Sequence, residues 1–302
     1  MGRKICCCCS GFKDFLMKIL VTGATGFIGN NLIKNLLKDK SNQIIASSRD
    51  LKKASKFNWF SKVKFIPYDI NNHNESNLFN YFEKPDRVIH LAWEGLPNYQ
   101  DLFHIEKNLP NDYRYIKNLV SNGLKNLTVT GTCFEYGMID GCLSEDMKVN
   151  PSNSYAVAKD CLRKFIEELK KKYDFNYKWI RLFYMHGEGQ SKNSLISLLD
   201  DAIRKGDKEF NMSGGEQLRD YLHIDEVVSN ISKIALQNKL DNQIINCCSG
   251  ESISIKQFVE NYLNERQYKM KLNLGYYPYP TYEPMSFWGN NSKLKKILID
   301  TS

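Results

Sequence analysis

The chain has 302 residues, of which 42% are hydrophobic and 25% charged, and its formal net charge is +8 at pH 7. A chain of this size and composition can bury its own core without disulfides or metals, and it contains no run of 18 apolar residues that could span a membrane. Lysine and arginine are scattered over many segments, so the positive charge favours a phosphorylated small ligand and not a nucleic acid.

The nine cysteines do not form the pattern of a disulfide framework. Cys6 to Cys9 are consecutive and Cys247 and Cys248 are adjacent, and neighbouring cysteines rarely satisfy disulfide geometry with each other. No C-x-x-C pair is matched by a second His or Cys pair, so the sequence predicts no metal site. Reduced thiols are typical of the cytosol, and we therefore expect a cytoplasmic protein.

Residues 1–16 are predicted to be a disordered extension. Gly2 follows Met1, but the sixth residue is Cys6 and not Ser or Thr, so the myristoylation pattern fails. Palmitoylation of the cysteine run is the alternative interpretation. Met17 begins the first predicted strand.

From Met17 onward, apolar runs alternate with segments of helical spacing. This alternation predicts βαβ units and hence an α/β fold with a Rossmann-like, doubly wound parallel sheet. The predicted strands are 17–22, 43–48, 62–68, 86–92, 126–131 and 178–185, and the predicted helices include 27–39, 112–123 and a long helix after Pro151.

Beyond residue 183 the pattern becomes less regular. Short strands near Phe210, Leu222 and Ile245 are mixed with helices, and a Pro/Tyr-rich loop covers 275–284. We interpret residues 17–183 as an NAD(P)-binding domain and residues 184–302 as a smaller C-terminal α/β substrate lobe.

The segment TGATGFIG lies between a predicted strand and a predicted helix, which is the context that gives a glycine motif its meaning. Gly23 permits a tight turn, Gly26 lets the backbone approach a pyrophosphate, and Gly29 permits close packing of helix on strand. The helix N-terminus offers free N–H groups to phosphates. The predicted cofactor-binding residues of this segment are Gly23, Thr25, Gly26, Phe27, Ile28 and Gly29.

The end of the second strand indicates which cofactor is used. An NAD enzyme usually has a carboxylate here, whereas this chain has Ser48 followed by Arg49. Serine can bond a phosphate and arginine can pair with it bidentately, so NADP(H) is favoured over NAD(H). Asp50 keeps NAD possible if the register slips by two residues. Further cofactor contacts are expected from Asp69, Ile70, Leu91, Ala92 and, beneath the active site, Asn108.

Tyr155 and Lys159 are spaced i, i+4 on one predicted helix and therefore share a face. A tyrosine with an ordinary pKa of about 10 needs a nearby cation to act as a proton carrier at neutral pH. Thr132, just past the fifth strand, can donate a second hydrogen bond to the same substrate oxygen. These three residues are the predicted catalytic group, and Lys159 also contacts the cofactor.

Five motifs occur in order along the chain: TGxxGxxG, the HLA of the fourth strand, Thr132 before a YG pair, YxxxK and LRDYLHIDEVV. Together they resemble the extended short-chain dehydrogenase/reductase family, and the resemblance runs from Met17 to about Leu298. This family includes nucleotide-sugar epimerases, dehydratases and 4-reductases. The resemblance implies a nucleotide-sugar substrate, with Arg219 at its diphosphate and Asp220 holding the local loop. Cys133 and Tyr184, together with Thr132 and Tyr155, are implied as substrate contacts.

The chain departs from two branches of the family. Dehydratases carry Asp-Glu after the threonine, whereas this chain has Cys133 and Phe134, so 4,6-dehydration is not expected. The Cys and His of epimerase-reductases are also missing from their places. The chain also contains the segments HLAWEGLPNY, TGTCFEYG, GGEQLRDYL and LGYYPYP. In these segments it resembles bacterial reductases that make dTDP-6-deoxyhexoses from 4-keto sugars for surface polysaccharides.

Two other functions stay open. A nucleotide-sugar 4-epimerase would retain NAD, take a hydride from the sugar and return it. A non-catalytic NADP sensor would require that the triad of Thr132, Tyr155 and Lys159 be incomplete, whereas all three residues are present. A homodimer through a helix pair that includes 154–173 is a further expectation.

Overall fold

The structure, a computed structural model, describes residues 16–72 and 74–299, so the predictions for residues 1–15 lie outside the described part. Its centre is a seven-stranded, fully parallel sheet in the order β3-β2-β1-β4-β5-β7-β12, which confirms the predicted doubly wound α/β fold. The strands of this sheet are β1 (Met17–Thr22), β2 (Asn42–Ser47), β3 (Lys64–Phe65), β4 (Arg87–His90), β5 (Asn126–Thr132), β7 (Asn176–Leu182) and β12 (Gln243–Cys247).

Helices cover both faces of this sheet. The α-helices of the described residues are α1 (Phe27–Leu36), α2 (Leu51–Ala54), α3 (Leu78–Tyr81), α4 (Leu109–Ser121), α5 (Ser154–Lys172), α6 (Leu195–Lys205), α7 (Ile224–Leu236), α8 (Ile255–Glu265) and α9 (Ser292–Ile299). Helices α1, α7 and α9 pack on one face of the sheet, and α4 and α5 pack on the other.

The remaining strands form two-stranded ribbons. They are β6 (Gly141–Leu143), β8 (Tyr184–His186), β9 (Glu209–Asn211), β10 (Leu218–Arg219), β11 (Tyr221–His223), β13 (Ile253–Ser254), β14 (Lys271–Asn273) and β15 (Phe287–Gly289). The pairs are β10 with β13, β11 with β8, β14 with β9, and β15 with β6.

Three predicted strands are shorter in the structure, and the one predicted at 86–92 is reduced to β4 (Arg87–His90). The strand predicted at 62–68 is reduced to β3 because Pro67 has no backbone N–H to donate, although Tyr68 N still bonds Ser48 O at 3.2 Å. The strand predicted at 178–185 divides at Phe183, whose N–H bonds Cys247 O at 3.3 Å. Its second half, β8, leaves the main sheet and pairs with β11.

The C-terminal third of the chain does not form one separate body. Strand β12 pairs with β7 in the main sheet, and α7 packs against α1 under that sheet. A separate apolar cluster, which includes the buried side chains of Leu199, Phe210 and Val259, joins α6 and α8 with β9. Residues 224–247 therefore belong with the sheet, while the rest of the predicted lobe beyond residue 183 stays a prediction.

The strand order reverses between β1 and β4, since the chain runs outward to β3 on one side and to β12 on the other. Ligands of open parallel sheets bind in the crevice at the carboxyl ends of the strands beside such a reversal. The glycine-rich turn and the predicted catalytic residues all lie at these ends.

Candidate active site

The turn from β1 into α1 is built for close approach of another molecule to its backbone. Gly23 has a φ of +66°, and a Cβ there would lie 2.9 Å from Ala92 N. A Cβ on Gly29 would lie 2.2 Å from Gly23 O, which explains the close packing of helix on turn. Gly26 is the N-cap of α1 and provides no side-chain hydrogen bond, so no capping side chain competes with an anion for the first N–H groups of this ten-residue helix.

A cavity of about 420 Å³ opens beside this turn, at the carboxyl ends of β1, β2 and β4. Most of the predicted cofactor residues lie on its wall: Gly23, Thr25, Gly26, Ser48, Arg49, Asp69, Ile70, Leu91, Ala92 and Asn108. Phe27 and Gly29 do not line it, and Ile28 and Lys159 line the neighbouring cavity. The glycine turn and the N-terminus of α1 beside this cavity suit the pyrophosphate of a dinucleotide.

The end of β2 presents an unpaired hydroxyl to this cavity. Within the described residues, the buried Ser48 Oγ has no hydrogen-bond partner, as expected for a group that awaits a ligand. Arg49 forms an ion pair with Glu94, which also accepts from Lys107 Nζ at 3.1 Å. Asp50 accepts from Lys53 N at 2.9 Å and caps α2, so its carboxylate serves the protein backbone.

A buried network beneath the cavity fixes the ends of β1 and β4. Thr22 Oγ1 bonds His90 Nδ1 at 2.9 Å, and His90 Nε2 bonds Asp112 Oδ1 at 2.5 Å. Leu91 N donates to Thr22 Oγ1 at 3.2 Å. The network holds the Leu91–Ala92 wall in place, and the sequence analysis assigned it no role.

The predicted catalytic residues converge at the end of β5. Asn153 caps α5 by accepting from Ala156 N at 2.9 Å, and the helix then presents Tyr155 and Lys159 to Thr132. Lys159 Nζ donates to Thr130 O at 2.9 Å. Tyr155, Lys159 and Thr132 line one cavity of about 240 Å³, which shares Leu91 and Trp93 with the first cavity.

Burial controls the protonation states of this group. It raises the pKa of Tyr155 well above its usual range, although a hydrogen bond with Thr132 opposes this shift. Burial also lowers the pKa of Lys159 to about 8, against the attraction of Asp112 and Glu135. Burial therefore outweighs the lowering expected from a nearby cation, and Tyr155 is a protonated phenol at neutral pH, the form that carries the proton a substrate oxygen would receive.

The wall of the second cavity is mainly apolar and aromatic. Its apolar and aromatic members include Leu96, Tyr99, Phe134, Leu182, Phe183, Tyr184 and Met185. Cys133 also lies on this wall, and burial raises the pKa of its thiol, so the side chain is a small neutral group there. Tyr184 Oη donates to Glu283 Oε2 at 2.5 Å.

Arg219 lines neither cavity in this conformation, so its contact with the diphosphate of a nucleotide sugar stays a prediction. It is 0% exposed. Its Nη2 and Nε donate to Glu283 Oε2 at 2.8 and 3.2 Å, and its Nη1 donates to two backbone carbonyls. In this conformation its donors serve the loop that carries Glu283. Asp220 does hold its local loop, accepting from Ser249 N at 2.7 Å and Gly250 N at 3.0 Å.

Glu135 is a buried carboxylate that the sequence analysis did not assign. It is 0% exposed and accepts from Thr132 N at 2.9 Å, Trp179 Nε1 at 2.9 Å and Arg181 Nε at 2.8 Å. Together with the Thr132 side chain it forms a capping box over the turn Cys133–Tyr136. The T-x-x-E spacing of Thr132 and Glu135 was the signal that could have found it.

The described residues contain no cluster of three or more His, Cys, Asp or Glu side chains that could hold a metal ion. No helix in the described part of the chain is long and apolar enough to cross a membrane.

Comparisons with known proteins agree with this geometry. The model of the NAD dependent epimerase/dehydratase family matches residues 19–248. The dTDP-6-deoxy-L-talose 4-dehydrogenase (NAD(+)) of Aggregatibacter actinomycetemcomitans is 28% identical over 274 residues, which cover 90% of this chain and 99% of that protein. The dTDP-4-dehydro-6-deoxyglucose reductase of Escherichia coli is 28% identical over 266 residues, covering 80% and 79%.

Solved structures share the fold. The UDP-glucuronic acid 4-epimerase of Bacillus cereus, in complex with UDP-glucuronic acid and NAD, superposes with a TM-score of 0.80 at 23% identity. The match covers 94% of this chain and 93% of that one.

Proposed function

Since the chain belongs to the NAD dependent epimerase/dehydratase family, we propose that it is a nicotinamide-dependent oxidoreductase acting on a nucleotide-linked sugar. The reaction is reduction of the C4 carbonyl of a 4-keto-6-deoxy sugar, with a dTDP sugar favoured as substrate. The observation that carries the proposal is the protonated, buried Tyr155 beside Thr132 and Lys159, on a cavity that adjoins the cofactor cavity.

Each catalytic residue has a defined task in this reduction. A nicotinamide cofactor, held at the glycine turn by Gly23 and Gly26, would supply the hydride that C4 receives. The Tyr155 phenol gives its proton to O4, and the Thr132 hydroxyl donates a hydrogen bond to the same oxygen. Lys159 donates one of its three N–H bonds to Thr130 O, which leaves two N–H bonds for the cofactor ribose. Its positive charge stabilises the Tyr155 phenolate that forms when the proton leaves.

The cavity wall favours a 6-deoxy sugar. Among the described residues that line the second cavity, Lys159 is the only cation, and it is engaged beside Tyr155. A carboxylate on C5 would find no second cation among the described residues of this wall, and a buried charge without a counter-charge is costly. A methyl group fits such a wall. The names of the two relatives quoted above, both of which refer to 6-deoxyhexoses, support the same choice.

The cofactor preference is part of the proposal. Ser48 and Arg49 favour NADP(H), because a free hydroxyl and a guanidinium together can hold a 2′-phosphate. Arg49 would exchange its ion pair with Glu94 for the phosphate. The printed name of the Aggregatibacter relative specifies NAD(+), so both cofactors need to be compared directly.

The reaction can be tested with purified protein, a dTDP-4-keto-6-deoxyhexose and NADPH or NADH. We expect reduced cofactor to disappear in proportion to sugar. Tyr155→Phe should lower kcat by a factor on the order of 10²–10⁴, while cofactor binding survives.

The competing function is a 4-epimerase, which uses the same triad. If the purified protein carries tightly held NAD and interconverts two nucleotide hexoses without net consumption of cofactor, the reductase proposal is wrong. A protein that binds cofactor but turns over neither kind of sugar would instead support the sensor.

A further inference from the structure

Trp93 lies on the wall that the two cavities share, immediately after the Leu91–Ala92 segment. The Lys159 ammonium lies over its ring face, with Nζ 4.0 Å from the ring centroid. The same ring meets Tyr155 edge to face, with centroids 5.9 Å apart and planes at 67°. Trp93 therefore contacts both residues that must carry charge during the proposed reaction.

A chain of hydrogen bonds fixes the orientation of this ring. His104 Nε2 bonds Asn98 O at 3.0 Å, and because a carbonyl can only accept, Nε2 carries the proton. His104 Nδ1 is then an acceptor, with Trp93 Nε1 at 3.0 Å and Asn108 Nδ2 at 3.3 Å. The rings of Trp93 and His104 are nearly coplanar, with centroids 6.1 Å apart and planes at 17°, as a hydrogen bond between ring nitrogens favours. Burial lowers the pKa of His104, which keeps Nδ1 an acceptor.

The Lys159 side chain has few other partners to keep it charged. Thr130 O accepts one of its protons, and the ionisable groups that act on it are Asp112 on α4, Glu135 after β5 and neutral His104. An aromatic face attracts a cation through the negative potential of its π electrons, and most strongly where water is excluded. Trp93 supplies that face next to the atom the proposed mechanism needs protonated.

We propose that Trp93 is a positioning residue for Lys159 and Tyr155: its ring, oriented by His104, holds the ammonium at the junction of the cofactor and substrate cavities. The role rests on the proposed function only in its effect on catalysis. Its effect on Lys159 itself can be measured without turnover.

The test compares Trp93→Leu, Trp93→Phe and Tyr99→Leu. Tyr99 is the matched control, because its ring packs against Tyr155 with centroids 5.7 Å apart but makes no cation–π contact with Lys159. In protein labelled with carbon-13 lysine, the Lys159 resonance is assigned by its loss in Lys159→Arg and titrated without substrate. Trp93→Leu should lower the pKa of Lys159 by about one unit, a roughly tenfold change in its acid constant, and Trp93→Phe by about half as much.

In the reductase assay, the alkaline limb of kcat/KM should move with the Lys159 titration, and kcat should fall more than KM rises. Tyr99→Leu should leave the titration in place. A Trp93→Leu protein that loses thermal stability but keeps both the titration and the limb of the wild type would overturn the proposal. If Trp93→Leu does not fold, an unchanged titration in Trp93→Phe would overturn it equally. If the wild type consumes no cofactor, the proposed function fails, whereas the titration still decides the role of Trp93.

Discussion

Replacing Glu135 by Gln should strongly destabilise the protein although the side chain keeps its shape. The carboxylate accepts from Thr132 N, Trp179 Nε1 and Arg181 Nε, and both Glu135 and Arg181 are almost fully buried. A glutamine offers one acceptor oxygen, and its NH2 group would face at least one of these donors. Removing one partner of a buried ion pair costs about 3–5 kcal/mol, because the other charge stays buried without compensation.

The assay is equilibrium unfolding in urea, followed by far-ultraviolet circular dichroism. Glu168→Gln is the matched control, since Glu168 pairs with Lys171 at 2.6 Å on the exposed surface of the same protein. Exposed pairs contribute about 0–1 kcal/mol, so the control should unfold close to the wild type. If Glu135→Gln lowers the free energy of unfolding by less than about 1 kcal/mol, or by no more than the control does, the carboxylate does not stabilise the turn Cys133–Tyr136 as argued.

Three other changes test different parts of the molecule. Arg49→Ala should lower kcat/KM with NADPH and leave kcat/KM with NADH little changed, because the lost bidentate phosphate contact contributes roughly 1.5–3 kcal/mol. Equal losses with both cofactors would contradict the NADP(H) preference. The kcat/KM for reduction should fall as the pH rises through about 8, because the buried Lys159 ammonium loses its proton there, and Lys159→Arg should remove this limb. We also propose a homodimer through α5, since Phe165 is 40% exposed and forms a surface hollow with Tyr113 and Tyr173. Phe165→Glu should convert the dimer to a monomer, measured as molar mass by light scattering. An unchanged molar mass would argue against α5 as the dimer interface.

The sequence by itself determined the features that depend on near neighbours along the chain. The glycine turn follows from three glycines within seven residues, and the shared face of Tyr155 and Lys159 follows from helical spacing. The alternation of strand and helix predicted the parallel sheet, since strands joined by helical crossovers align in one direction. Met17–Thr22 is a strand with the predicted bounds for the same reason.

Contacts between distant segments were decided only by the tertiary structure. Trp93 meets Lys159 and Glu135 meets Arg181 across stretches of chain whose arrangement depends on how β4, β5 and β7 pair. Arg219 donates to Glu283, 64 residues away, a contact that no local pattern indicates. A short strand such as Gln243–Cys247 has the same local pattern in a lobe as in a sheet, so only strand pairing placed it beside β7. Local patterns specify an element, whereas long-range burial and pairing select its neighbours, because those energies arise only when the separate segments meet.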